Sequence, residues 1–248
     1  APVRNGKVSY TVTRSQAWFW RIGGGSSQVI GSGETQTDAD GKFRIEAVLE
    51  KPETSAGDWN SYYIYKVSAD VVNIDGETQS GSLSLPVSKL SMGLQIDGLS
   101  AKVMREKRDK IQFLARNLNG QPVDTKVSYR IYTLDKDDKK GSLAAQGEQP
   151  SQTAFIPEAL LDCASGKYRI EISADDSQGR TCKAEQDFAL FSRNDVRPPY
   201  ETTEWFYQEG TEFNEEHPVT LYVGSSEQDV YVFYSVYCGA KRIHSERL

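Results

Sequence analysis

Apolar and polar positions along this chain alternate with the period of two that belongs to strands far more than with the 3.6 of a helix. Lys7 to Thr13 (KVSYTVT), Lys42 to Leu49 (KFRIEAVL), Tyr62 to Val72 and Leu83 to Val87 cluster β-branched and aromatic residues between Gly, Asp, Asn and Pro, which predicts strands. The texture continues from Ile111 to Leu248, with further strands expected at Lys110 to Arg116, Pro218 to Val223, Asp229 to Tyr237 and from Lys241. The best helical candidate is one turn at Pro157 to Leu161, with Pro at its first position. The pattern is that of an all-β chain.

Internal repetition then sets the domain plan. Tyr65, Gly76 and Thr78 recur as Tyr168, Gly179 and Thr181, 103 residues later in each case, within matching strand, Asp/Gly turn and strand segments. A period near 100 residues is that of a sandwich domain rather than a short solenoid repeat. Pro2-Val3 followed by Lys7-Val-Ser-Tyr10 likewise matches Pro122-Val123 followed by Lys126-Val-Ser-Tyr129, with one residue of slippage. In the second copy a stretch containing the Lys110 to Arg116 strand precedes Gln121, and the first copy has no room for its equivalent. The first domain is therefore expected to lack its opening strands and to show open sheet edges prone to pairing. Its surplus residues fall at Ser15 to Gln28 and Pro52 to Asn60, both rich in turn formers. The plan is 1–89, a sandwich without its first strands; 90–191, a complete sandwich; and 192–248, a linker and the start of a third. Pro86 to Leu90 and Ser192 to Glu204 read as the connections.

Length agrees, since 248 residues suit about two domains of ordinary size. No apolar run approaches the ~18 to 20 residues of a membrane helix, and mean hydropathy is -0.58. A net charge of -6 and a pI near 5.2 argue against nucleic acid or an anionic membrane as main partner. That charge is concentrated between Asp195 and Glu216, where seven acids face Arg197. Ala1 to Arg4 carries no signal-peptide pattern, so an export signal would have been removed or lie upstream.

The segments Gly6 to Arg14, Trp18-Phe19-Trp20, Gly33 to Phe43, Tyr65 to Thr78, Asn117 to Val123 and Leu221 to Ser226, in this order and spacing, resemble the macroglobulin-like domains of the bacterial alpha-2-macroglobulin family. The likeness covers nearly the whole chain and is strongest to large exported members from gut Bacteroides-type bacteria. It implies tandem immunoglobulin-like, fibronectin-III-like antiparallel β-sandwiches: a third domain without its first strands, a complete fourth and the start of a fifth. It further implies a periplasmic, outer-membrane-anchored or secreted parent that entraps proteases, in which these domains are non-catalytic scaffold. Partners would be proteases or other proteins through the parent, and neighbouring domains of the same chain. The family's thioester needs a Cys where Gln146 precedes Gly147-Glu148-Gln149, so this stretch has no thioester.

Site chemistry is sparse. With two His and three Cys, neither a metal centre nor a cofactor is expected, and no catalytic residue is assigned. Cys163, Cys182 and Cys238 are an odd number and read as buried free thiols; the hairpin register places 182 opposite about 174 and away from 163, which disfavours a Cys163–Cys182 bridge and leaves one across the sandwich open. Asp38-Ala-Asp40-Gly41 and Asp135 to Asp138 read as turns rather than calcium sites, which need six to eight oxygens. Lys102 to Lys110 reads as a solvated edge or turn. Trp18, Phe19 and Trp20 cannot all be buried in a one-sided sheet. They either pack beneath the Gly-rich loop or a neighbouring domain, or form with Trp59 a platform for sugars or a peptide. The alternative function is accordingly a carbohydrate- or adhesion-binding module.

Overall fold

A computed structural model describes residues 2–20, 26–50, 61–210, 214, 216, 218–231 and 233–247. The chain is all-β, and every ladder among the described strands is antiparallel except one. No helix among the described residues is long and apolar enough to cross a membrane.

The first unit is a four-stranded sheet in the order β2-β1-β3-β4, from β1 (Lys7–Trp18), β2 (Gln28–Gln36), β3 (Ser61–Val72) and β4 (Thr78–Val87). Val8, Val12 and Tyr65 are fully buried on one face. Part of their cover is the extended segment 42–50, which the Tyr65 hydroxyl pins by accepting from Glu50 N and donating to Glu50 O, both at 2.9 Å. Lys42 to Leu49 was expected to be a strand, but it joins no ladder. Its alternation reports a face that needs covering, and pairing also needs a neighbour, which is missing here among the described residues. β1 runs five residues beyond the expected Thr13, and the Gly/Ser-rich β2 had no strand signal of its own.

The second unit is a two-layer sandwich. One layer is β10-β7-β5, from β5 (Met92–Asp97), β7 (Ile111–Asn117) and β10 (Ala154–Phe155). The other is β6-β12-β11-β8-β9, from β6 (Lys102–Met104), β8 (Lys126–Leu134), β9 (Lys140–Pro150), β11 (Gly166–Asp175) and β12 (Thr181–Phe191). Leu94, Phe113 and Ala115 meet Val127, Ile131, Ile170, Ile172 and Leu190 in the core, all at most 2% exposed. Leu160, on the short 3-10 turn Glu158–Asp162, closes one end. Lys102 to Met104 is an edge strand and Arg105-Glu106 a turn, as expected, but the edge is not solvated throughout. It forms the parallel ladder with β12, and Val103 and Met104 are buried.

The two units repeat each other down to single hydrogen bonds. Buried Thr37 accepts Gly6 N and donates to Val3 O, as buried Ser151 accepts Thr125 N and donates to Val123 O. Tyr10 lies over its cross-strand partner Gly33, as Tyr129 lies over Gly147, and in both places an added Cβ would fall 2.7 Å from the hydroxyl. Tyr168 donates to Ala164 O, as Tyr65 does to Glu50 O. One turn is used five times: Asp38, Asn73, Asn117, Asp135 and Asp176 each accept the N–H groups two and four residues ahead. The residue three ahead has positive φ in every case, and it is Gly in all but Asp138.

Beyond Phe191, β13 (Trp205–Glu209) pairs with β14 (Thr220–Gly224), and β15 (Phe233–Cys238) pairs with the exposed β16 (Lys241–Arg247). β13 begins just past the expected Ser192 to Glu204 connection, inside the acidic stretch. The connection between the first two units is shorter than expected, because Pro86 and Val87 belong to β4.

Candidate functional site

The chemistry-bearing residues gather at two junctions. The first lies where the end of β1 meets β5 and β7. β1 ends at Trp18, which is half-buried opposite Ser61, so Phe19 and Trp20 lie beyond the strand and do not follow its alternation. Trp20 Nε1 donates to Leu94 O at 3.1 Å, and the Arg116 guanidinium sits 4.8 Å from its ring centroid. Phe19 packs on Tyr62 at 5.1 Å and over Gly93, where an added Cβ would be 2.5 Å from the ring. Trp59 lies outside the described residues.

The connecting residues are tied down in the same region. Ser88 Oγ accepts Leu90 N, and Ser91 N donates to Asp176 Oδ2 at 2.9 Å. The Asp176 side chain is fully buried and also accepts Gln178 N, Arg180 N and the Arg180 guanidinium. Burial works to raise its pKa, but the Arg180 side chain and three backbone N–H groups hold it well below the usual carboxylate range. In the first unit Asn73 holds the equivalent turn through its single carbonyl oxygen. The second oxygen of Asp176 is what receives the linker. This role was missed in the sequence, where the replacement of Asn73 by Asp176 at matching positions was its one signal.

The second junction is aromatic. Phe191 at the end of β12 meets Trp205 at 5.2 Å, Tyr207 at 4.7 Å and Tyr222 at 6.3 Å, and Met104 and Ala189 complete the cluster. Lys102 Nζ lies 4.4 Å from the Trp205 ring centroid and donates to Phe206 O. Glu106 receives Ser192 Oγ and Arg193 N, which anchors the start of the crossing.

The remaining candidates are structural or isolated. Carboxylates of Asp38 and Asp135 are occupied by their own turns, and no metal-holding group of His, Cys, Asp or Glu occurs among the described residues. All three thiols are free. Cys182 faces Ala174, donates to Met92 O, and is pushed up to about 11 by burial and then by Asp176. Cys163 is half-buried and also raised by burial. Cys238 is exposed, contrary to the expected buried thiol, because its hairpin joins neither core cluster among the described residues. His244 contacts Tyr234 and Glu246 on that same hairpin, and His217 lies outside the described residues. Gln146 to Gln149 is ordinary strand, with Gly147 beneath Tyr129.

No family model matches the chain, and no curated protein matches it. Among solved structures it is similar to one titled a tetra-tandem repeat in the extending region of a large adhesion protein. The identity is 12%, the match covers 76% of this chain and 42% of that one, and the TM-score is 0.30. The chain thus spans less than half the length of that structure.

Proposed function

We propose that this chain is a non-catalytic scaffold segment of an exported alpha-2-macroglobulin-like protein, holding the parent's protease-trapping surface in fixed geometry. The observation that carries the reading is the bonded junction between two copies of one unit. Trp20 to Leu94 crosses from the first copy into the second, and Ser91 to Asp176 fixes the chain to the second copy where the connection ends. A flexible tether would leave such groups in water, whereas these hydrogen bonds are part-buried and the Phe19 ring packs over Gly93 beside them, contacts that would favour one relative placement of the two copies. The order and spacing of the turn and aromatic segments supply the family part of the reading.

The test uses the parent protein. Intact parent incubated with an excess of trypsin is expected to retain the protease in a complex resolved by gel filtration. Replacing Ser88 to Ser91 by a long Gly/Ser linker is expected to weaken that retention. Retention unchanged by the flexible linker sinks the scaffold mechanism. Strong glycan-array binding by the chain, lost in Trp18→Ala and Trp20→Ala, favours the carbohydrate- or adhesion-binding alternative instead.

A further inference from the structure

The five-stranded sheet of the central sandwich carries an open cavity of about 380 Å³ on its outer face. The floor is Ser128 on β8 and Ser173 on β11, which lie opposite each other in the ladder. Arg130, Lys140, Glu171, Lys183 and Glu185 form the walls, so two short side chains among long ones make the depth. We propose that this cavity binds the terminal hexuronate of a glycan, with its carboxylate on Arg130 and its ring hydroxyls on Glu171 and Glu185.

The first copy shows that the fold does not require these charges. By the spacing of the repeat, Arg130, Glu171, Lys183 and Glu185 stand where the first copy has Thr11, Ser68, Ser80 and Ser82. The ladders agree: Thr11 faces Ser68 and Ser68 faces Ser82, as Arg130 faces Glu171 and Glu171 faces Glu185. Four small hydroxyl residues in one copy are thus four charges in the other. Two of them, Glu171 and Glu185, are alike and directly opposite, an arrangement that weakens a sheet. A local cost at positions where the same unit does without it points to a function rather than to folding.

The charges divide into an anion-binding half and a hydroxyl-binding half. Arg130 faces Glu171 but forms no ion pair with it; Lys140 from β9 takes that carboxylate at 2.7 Å. Arg130 has no other partner among the described residues, so its planar guanidinium is open to a ligand carboxylate, which it matches with two parallel N–H donors. Glu171 and Glu185 are compensated by Lys140 and by Arg169 at 3.9 Å. They therefore serve as acceptors for hydroxyl groups rather than as a seat for a further cation. A polyanion such as an acidic peptide would set its repeated charges against the two glutamates, and a neutral sugar would leave Arg130 unanswered. A ring with hydroxyls beside a single carboxylate meets both halves. The volume leaves room for that ring and the neutral sugar that carries it. The site shares no residue with either junction and stands independently of the scaffold reading.

The experiment titrates the isotope-labelled chain with the disaccharide glucuronyl-galactose and follows its amide NMR spectrum. Saturable shifts confined to 128–130, 171–173 and 183–185 are expected at millimolar disaccharide. Its carboxyl-reduced, neutral form is expected to bind at least about tenfold more weakly, the loss of hydrogen bonds between charged groups. Arg130→Thr, which installs the residue type of the first copy, is expected to weaken binding by the same factor and leave the rest of the spectrum unchanged. Ser173→Tyr fills the floor and is expected to abolish binding; if that variant does not fold, Arg130→Thr decides. Absence of saturable shifts overturns the proposal. So does equal binding of the reduced disaccharide, of free glucuronate or of an Asp-rich peptide, and so does an Arg130→Thr chain that binds as well as the original.

Discussion

Asp176 accepts the amide of Ser91 at 2.9 Å while the same carboxylate closes its own hairpin turn and pairs with Arg180. A single buried charge therefore joins the linker, a turn and a guanidinium. Asp176→Asn keeps an oxygen for the turn but leaves Arg180 and one linker contact unpaired. Arg180 is one-third exposed and stays solvated when its partner is lost, so the cost is that of hydrogen bonds to a charged group, about 1.5 to 3 kcal/mol, expected as a lower urea midpoint of the central sandwich.

Acid stability follows from the same group. Its folded pKa is lowered, so its contribution is fully present above the ordinary carboxylate range and is lost as pH falls below about 4. Wild-type stability is expected to decline through that window, and Asp176→Asn to show a shallower acid limb. Equal slopes in the two proteins would contradict this assignment.

At the first junction, Gly93→Leu would place a Cβ 2.5 Å from the Phe19 ring, and Trp20→Phe removes the donor to Leu94 O. Each is expected to loosen the junction. Limited proteolysis between residues 88 and 91 should accelerate, and the radius of gyration in solution X-ray scattering should rise. Trp20→Phe is expected to cost the junction about 1 kcal/mol, the net worth of one hydrogen bond.

Tyrosine-over-glycine packing gives a coupling prediction. Gly147→Ala is expected to destabilise by about 1 to 3 kcal/mol through overpacking against Tyr129. Tyr129→Ala in the same chain should relieve part of that cost, so the double mutant would be more stable than the sum of singles predicts. Additive effects would show that the ring does not constrain position 147.

Thiol reactivity should rank by exposure. Iodoacetamide at pH 7.5, read by peptide mass spectrometry, is expected to modify Cys238 first and Cys163 more slowly. Cys182, buried and pushed up to about 11, is expected to react only when the sandwich unfolds.

The repeat was legible in the sequence because its turns are local: Asn73 to Glu77 and Asp176 to Arg180 carry their own acceptor, donors and positive-φ glycine. Features that depend on distant partners were not. Lys42 to Leu49 has the alternation of a strand but no ladder to join, and Trp205 is buried by Met104 and Phe191 from other parts of the chain. The Trp18-Phe19-Trp20 run stood out by composition, yet the Leu94 carbonyl that Trp20 meets is 74 residues away. Nothing near Cys238 in the sequence told that its hairpin joins neither core cluster among the described residues.

The five self-contained turns also bear on how the chain reaches this structure. Three of them, at Asn73, Asp135 and Asp176, join the paired strands β3–β4, β8–β9 and β11–β12 across a few residues, so these hairpins nucleate on the microsecond scale without waiting for the rest of the domain. Docking of β5 on β12, marked by the Cys182 thiol reaching Met92 O across 90 residues, has to close a long loop first. Rapid zipping of hairpins followed by slow capture of β5 is the kinetic order this topology imposes, and substitutions at Leu94 should slow refolding more than substitutions in the turns.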